Sequence, residues 1–131
     1  MAMSTTHPPT AEEQDQAPPD VEVMRESVCL LLGPDGAPDV LPPPPAELDS
    51  LTTTLRGHLA LLAPEVEQVA ARLHKDSIPR YCALACVGEA HGKLRAEAGP
   101  GPHGAVAYAR RLARSLNALC DHYEKLSRAA S

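Results

Sequence analysis

The chain has 131 residues, a formal net charge of −5 and neither Phe nor Trp. This length allows one domain, and no run of about 18 apolar residues is present that would predict a transmembrane helix. Residues 1–45 hold ten of the fourteen prolines and eight acidic residues against one basic residue, Arg25. Residues 46–131 hold nine acidic and eleven basic residues, so the negative charge belongs to the N-terminal third.

The N-terminal third predicts little regular structure. Residues 1–19 are rich in Pro, Thr, Glu and Gln without an apolar period, which predicts a disordered acidic tail. A short helix is predicted over 20–33, with Asp20 as its N-cap and Gly33 at its end. Its apolar residues at helical spacing are Val21, Met24, Val28, Leu31 and Leu32. Residues 34–45 end in four prolines, which predicts a stiff extended spacer.

Residues 46–128 predict a helical bundle, and its first helix has the clearest pattern in the chain. Apolar residues recur there at steps of three and four: Leu48, Leu51, Leu55, Leu59, Leu62, Val66, Val69 and Leu73. Pro64 interrupts the hydrogen bonding, and we expect a kink rather than a break because the stripe keeps its phase.

Two more helices follow. Asp76 or Ser77 can cap the next one, whose predicted inner face is Ile78, Tyr81, Cys82, Ala85, Cys86, Glu89 and Leu94. Its many small residues predict the central, most crowded helix. The segment 99–102 (Gly-Pro-Gly-Pro) predicts a break. The last helix is expected over 105–126, with Val106, Ala109, Leu112, Leu116, Leu119, Cys120, Tyr123 and Leu126 on one face. We therefore predict an all-α fold, an antiparallel bundle of three to four helices behind a disordered N-terminal tail.

The four cysteines indicate reduced thiols and a cytoplasmic location, because they are too sparse for a disulfide scaffold. Cys82 and Cys86 are four residues apart, and Cys120 and His122 lie on the last helix, so a zinc site is one interpretation. However, Cys120 and His122 point about 200° apart on a helix. Burial as small apolar side chains is the better interpretation, and we expect no metal and no cofactor.

Catalysis and nucleic-acid binding are both disfavoured. There is no Gly-x-Ser-x-Gly motif and no glycine-rich phosphate loop, so we do not expect an enzyme. The last helix is basic, with Arg110, Arg111, Arg114, Lys125 and Arg128. Most of these bases lie on the helix face opposite the leucines, which a bundle exposes to solvent whatever its function. The sequence also has no helix-turn-helix motif and no aromatic residues for base stacking, so nucleic-acid binding is not expected.

Several segments resemble a known family. They are Leu41–Pro45 with Glu47 and Leu48, Leu55–Leu59, Asp76–Ala90, Ala109–Arg114 and Leu116–Tyr123. Together they look like a small helical family of undefined function from high-GC actinobacteria, labelled as associated with natural-product biosynthesis. The resemblance covers roughly residues 40–127 and is most specific from Asp76 to Leu94. It implies a bacterial cytoplasmic protein and no particular catalytic residues.

Two functions remain as hypotheses. The first is a non-enzymatic interaction or accessory protein that binds a protein partner or forms a homodimer, and we expect no association with a membrane. The predicted interface consists of Leu48, Leu51, Leu55, Leu59 and Leu62. The second is an accessory domain that binds a small molecule or metal in a cavity beside Arg80, Tyr81, Cys82, Cys86 and Glu89. Glu89 would then be partly buried beside a base, Arg56, His58 or Arg110. A DNA-associated regulator ranks third.

Overall fold

The structure, a computed structural model, describes residues 18–33 and 41–130. Four helices are present in this part of the chain: α1 (Val21–Cys29), α2 (Pro45–Ala71), α3 (Ile78–Arg95) and α4 (Gly101–Ala130). The all-α class and the helical bundle are therefore confirmed. Most of the predicted acidic tail and residues 34–40 of the predicted spacer lie outside the described residues. No helix in the described ranges is long and apolar enough to cross a membrane.

Helix α1 begins where its cap was predicted. The Asp20 carboxylate accepts a hydrogen bond from the Val23 amide at 3.2 Å, which satisfies one of the free N–H groups of the first turn. Met24 and Val28 are buried, and so are Leu31 and Leu32 in the turn that follows. The predicted apolar face is thus the face that packs on the bundle.

A polar cluster also fixes α1 against α4. The guanidinium of Arg25 donates to Asn117 Oδ1 at 2.8 Å, to Asp121 Oδ1 at 2.8 Å and to Glu124 Oε1 at 2.5 Å. These three acceptors lie on successive turns of the same side of α4. Arg25, the one base of the acidic N-terminal third, therefore sets the position of α1 along α4.

Helix α2 continues through its internal proline. Pro64 and Ala60, whose carbonyl lies four residues back, are both exposed, so the missing hydrogen bond lies on the solvent side. The helix is unbroken from Pro45 to Ala71, as expected from a stripe that keeps its phase across Pro64. Seven of the eight stripe residues are buried, namely Leu48, Leu51, Leu55, Leu59, Leu62, Val66 and Val69, and Leu73 packs against them from the following turn.

Helix α3 begins at Ser77, whose hydroxyl accepts from the Arg80 amide at 3.1 Å. Its inner face was predicted wrongly except at Cys86, which is buried, and Leu94, which is partly buried against the core. The buried residues are Ala83, Cys86, Val87 and Ala90, whereas Ile78 and Tyr81 are 75% and 76% exposed. The helix is rotated from the expected orientation because its buried side consists of small residues, which lie closer to the neighbouring helices than large ones could.

Helix α4 begins four residues earlier than predicted, at Gly101, which has a φ of 76°. Pro102 is tolerated in the first turn, where its missing N–H would have had no partner within the helix. Six of the eight residues predicted to line one face are buried: Ala109, Leu112, Leu116, Leu119, Cys120 and Leu126. Val106 and Tyr123 are partly buried.

The core lies between α2 and α4, which share the most extensive interface, so α3 is not the central helix as predicted. The five leucines predicted to meet a partner belong to this core, with exposures from 0% (Leu55, Leu59, Leu62) to 8% (Leu51). The chain's own helices already cover them. A partner could reach them only if the bundle opened.

Candidate functional site

A cleft of about 550 Å³ lies at the end of the bundle where α2 and α4 begin. One wall comes from the proline run and the first turns of α2: Pro42, Pro43, Pro45, Leu48, Asp49 and Thr52. The other wall comes from the α3–α4 connection and the first turns of α4: Ala98, Gly101, Pro102, Ala105, Val106 and Tyr108. We call this cavity the proline cleft.

The topology explains why two proline-containing segments meet here. Short connections make α3 antiparallel to both neighbours, so α2 and α4 run in the same direction and their N-termini share one end of the bundle. Proline is favoured at the start of a helix and rare within one. Both starts therefore supply rigid apolar rings to the same cavity.

The side of the cleft at Tyr108 is held by a hydrogen-bond chain. Arg56 on α2 donates to the Tyr108 hydroxyl and, at 2.7 Å, to the carbonyl of Leu94. Tyr108 in turn donates to the carbonyl of Lys93 at 3.2 Å. The two carbonyls belong to the last turn of α3, where few carbonyls have partners within the helix, and that of Lys93 also accepts from the Ala96 amide at 3.2 Å. Arg56 and Tyr108 thus satisfy the end of α3 and join three helices beside the cleft.

The lining of the cleft is mostly apolar. Asp49 supplies the one charge among its twelve residues, and Thr52 and Tyr108 add hydroxyl groups. No Cys, His, Lys or Ser is among these twelve. Such a lining can hold an apolar molecule and orient it through one or two polar contacts, and it offers no nucleophile paired with a base.

The five predicted ligand residues on α3 have three different environments. Tyr81 and Cys82 are exposed, Cys86 is in the core, and Glu89 lies in a separate shallow pocket between α3 and α4. Arg80 donates to the Leu73 carbonyl at 3.1 Å, which ties the start of α3 to the residue that follows the C-cap of α2. One small ligand could not touch all five.

Glu89 is exposed rather than partly buried, so it needs no basic partner. The proposed partner Arg56 is used at the cleft instead. His58 is half-buried with its Nε2 atom lacking a hydrogen-bond partner, and burial lowers its pKa. The interpretation of Glu89 as an inward-facing anchor is therefore wrong.

The cysteines do not form a metal site within the described residues, where no group of three or more His, Cys, Asp and Glu side chains could hold an ion. Burial, with a smaller contribution from the Glu89 carboxylate, raises the pKa of Cys86 to about 11. Burial likewise raises the pKa of Cys120 to about 11. Cys86 and Cys120 are buried, as the interpretation of small apolar side chains requires, whereas Cys29 and Cys82 are exposed, so that interpretation is wrong for these two.

These thiols give a direct prediction about reactivity. At pH 8 a pKa near 11 leaves about one thiolate in a thousand, and burial also blocks access. We expect Ellman's reagent to modify Cys29 and Cys82 rapidly in the folded protein, and Cys86 and Cys120 only after denaturation. Mass spectrometry of the modified peptides would identify them. Rapid modification of Cys86 or Cys120 without denaturant would contradict the packing of α3 and α4.

The chain belongs to DUF6415, a family of unknown function whose model matches residues 22–128. No curated protein and no solved structure matches the chain. The match agrees with the resemblance to a family of undefined function and extends it from residue 40 back into α1. It covers all but one of the residues of α1, all of α2 and α3, and nearly all of α4, so the proline cleft lies entirely within it.

Proposed function

We propose that this chain is a non-enzymatic accessory protein of a bacterial cytoplasm that binds a small, largely apolar molecule in the proline cleft. The observation that carries this proposal is the cleft itself, with a volume of about 550 Å³ and a lining of prolines, aliphatic side chains and one tyrosine. Small-molecule sites in proteins have this range of volume, this apolar character and few polar groups. The resemblance to a family associated with natural-product biosynthesis favours an intermediate or product of such a pathway as the ligand.

The charge of the cleft narrows the chemistry of this ligand. Asp49 is exposed at the edge, and no cation lines the cavity. An ammonium group beside the apolar body of a ligand would be attracted to the Asp49 carboxylate and a hydroxyl group could donate to it, whereas a carboxylate would be repelled. The expected order of affinity is therefore amine, then alcohol, then carboxylate.

Three probes of equal chain length test this order: octylamine, octanol and octanoate. In NMR titrations we expect the amine and the alcohol to shift the amide signals of residues 98–108. Ala105→Leu places a larger side chain in the cleft and should weaken these shifts. Ala107→Leu is the matched control, because Ala107 is exposed two residues away and lies outside the cleft. Asp49→Asn should remove the preference for the amine.

Two results would contradict the proposal. One is the absence of shifts with both the amine and the alcohol at millimolar concentration. The other is equal binding by the Ala105→Leu and Ala107→Leu variants, which would place the probes elsewhere on the surface.

The exposed face of α3 favours a second candidate function, self-association. Ile78 and Tyr81 are 75% and 76% exposed at one end of this face. At the other end, open space surrounds Gly88 and Gly92, where an added Cβ would meet no atom within 4 Å. Two copies paired antiparallel about Ala85 would place the large side chains of each over the glycines of the other.

Light scattering after size-exclusion chromatography tests this pairing. We expect a dimer at high micromolar concentration that the double variant Ile78→Ser/Tyr81→Ser converts to a monomer. Leu61→Ser removes an exposed apolar side chain from α2 and should leave the dimer intact. A strict monomer for the unmodified chain would remove this candidate.

A further inference from the structure

A second cavity, of about 220 Å³, lies between the middle of α3 and the middle of α4. It is lined by Glu89 and Lys93 from α3 and by Arg111, Arg114, Ser115 and Ala118 from α4. The α4 residues follow helical steps of three and four, so they share one side of the helix. We call this cavity the basic pocket.

The basic pocket has an excess of positive charge. Lys93, Arg111 and Arg114 face a single carboxylate, Glu89, in a chain whose overall charge is −5. Ion pairs within the described ranges join Arg25 to Asp121 and to Glu124, and would join His74 to Asp76 when the imidazole is protonated. None of the three cations of the pocket takes part in one. Three cations concentrated in a concave surface attract an anion more strongly than isolated surface charges would.

We infer that the basic pocket binds a small oxyanion of the phosphate class, such as pyrophosphate or the phosphate group of a metabolite. Guanidinium groups donate paired hydrogen bonds that match the spacing of phosphate oxygens, and such charge-assisted bonds are strong. Ser115 adds a hydroxyl group to the lining, and the small side chain of Ala118 leaves room for the anion. Glu89 opposes the anion and limits its affinity.

A small anion fits the basic pocket better than nucleic acid does. The lining has no aromatic side chain on which a base could stack. The pocket is also small, with a volume of about 220 Å³, and its lining comes from two helices only. It is distinct from the proline cleft, whose twelve lining residues it does not share. Lys93 lies between the two sites, because it lines the basic pocket and its carbonyl accepts from Tyr108, which lines the proline cleft.

Titration of the full chain with inorganic pyrophosphate, followed by NMR, tests the inference. We expect saturable shifts at the amides of residues 89–93 and 111–118. The double variant Arg111→Gln/Arg114→Gln should weaken binding about tenfold or more. Glu89→Gln should strengthen it. The matched control, Arg72→Gln/Arg95→Gln, removes the same charge from exposed residues outside the pocket and should change the affinity less than about threefold.

Three outcomes would overturn the inference. The first is no saturable shift at millimolar pyrophosphate. The second is an equal loss of affinity in the control variant, which would indicate general attraction by net charge. The third is binding of duplex DNA through Arg111 and Arg114 without binding of pyrophosphate, which would assign these residues to a nucleic-acid surface.

Discussion

Leu59→Ala is expected to lower the free energy of unfolding by about 2–5 kcal/mol, the usual cost of deleting a fully buried leucine side chain. Leu59 is 0% exposed on α2. Its neighbours cannot collapse easily into the space, because a core of helices closed on several sides relaxes only in part. A loss of this size is a large share of the stability of a short chain without Phe or Trp.

Urea denaturation followed by circular dichroism at 222 nm measures this loss. Leu61→Ala makes the same chemical change two residues away, where the side chain is 55% exposed, and should change the stability by about 0.5 kcal/mol or less. Similar losses for both variants would mean that α2 faces the core with a different side.

Gly104→Ala is expected to destabilise the protein by about 1–3 kcal/mol, although alanine is the better helix former. A Cβ at position 104 would overlap the carbonyl group of Gly99 and lie 2.9 Å from its Cα atom. These are backbone atoms, so the α3–α4 connection would have to move. Since Ala98, Gly101 and Pro102 belong to the proline cleft, the variant should also bind octylamine more weakly.

Gly57→Ala is the control for Gly104→Ala. Gly57 is exposed inside α2, and an added Cβ would meet nothing within 4 Å. This change should stabilise the protein by about 0.5–1 kcal/mol, the usual difference between glycine and alanine in a helix. Thermal unfolding with both variants gives opposite shifts of Tm if the contact between Gly99 and Gly104 is real. A raised Tm for Gly104→Ala would show that the connection does not pack on α4.

The parts of the fold that were predictable are those where large apolar side chains recur at helical spacing. Leu48 to Val69 on α2 and Ala109 to Leu126 on α4 form such stripes, and burial follows the spacing closely. Caps were also predictable, since Asp20 caps α1 as expected and Ser77 is one of the two residues expected to cap α3. Their side-chain oxygens satisfy local amides, an interaction that depends little on the rest of the fold.

The orientation of α3 was not predictable in this way. Its large residues, Ile78 and Tyr81, are exposed, and its buried residues include Ala83 and Ala90. The hydrophobic pattern favours the side with larger apolar residues, whereas tight packing of helices favours the side with smaller ones. In α3 these two preferences point in different directions, and packing determines the result.

The proline cleft was missed because its two walls are far apart in the sequence and each has a simple local explanation. The prolines at 42–45 indicate a spacer, and the segment 99–102 indicates a break. The signal that could have located the cleft is topological. In an up-down bundle, α2 and α4 are parallel, so whatever precedes them lies at the same end. The hydrogen bond between Arg56 and Tyr108 could not be predicted either, because 52 residues separate the two side chains in the sequence.

The tyrosine content has a practical consequence. With three tyrosines and neither Trp nor Phe, all near-ultraviolet absorption by aromatic side chains, apart from His, comes from Tyr81, Tyr108 and Tyr123. Tyr81 is 76% exposed, Tyr123 is partly buried, and Tyr108 is 4% exposed and is the tyrosine that lines the proline cleft. Compounds that enter the cleft are therefore expected to change the intrinsic fluorescence of Tyr108, so that binding can be screened without a dye or a label.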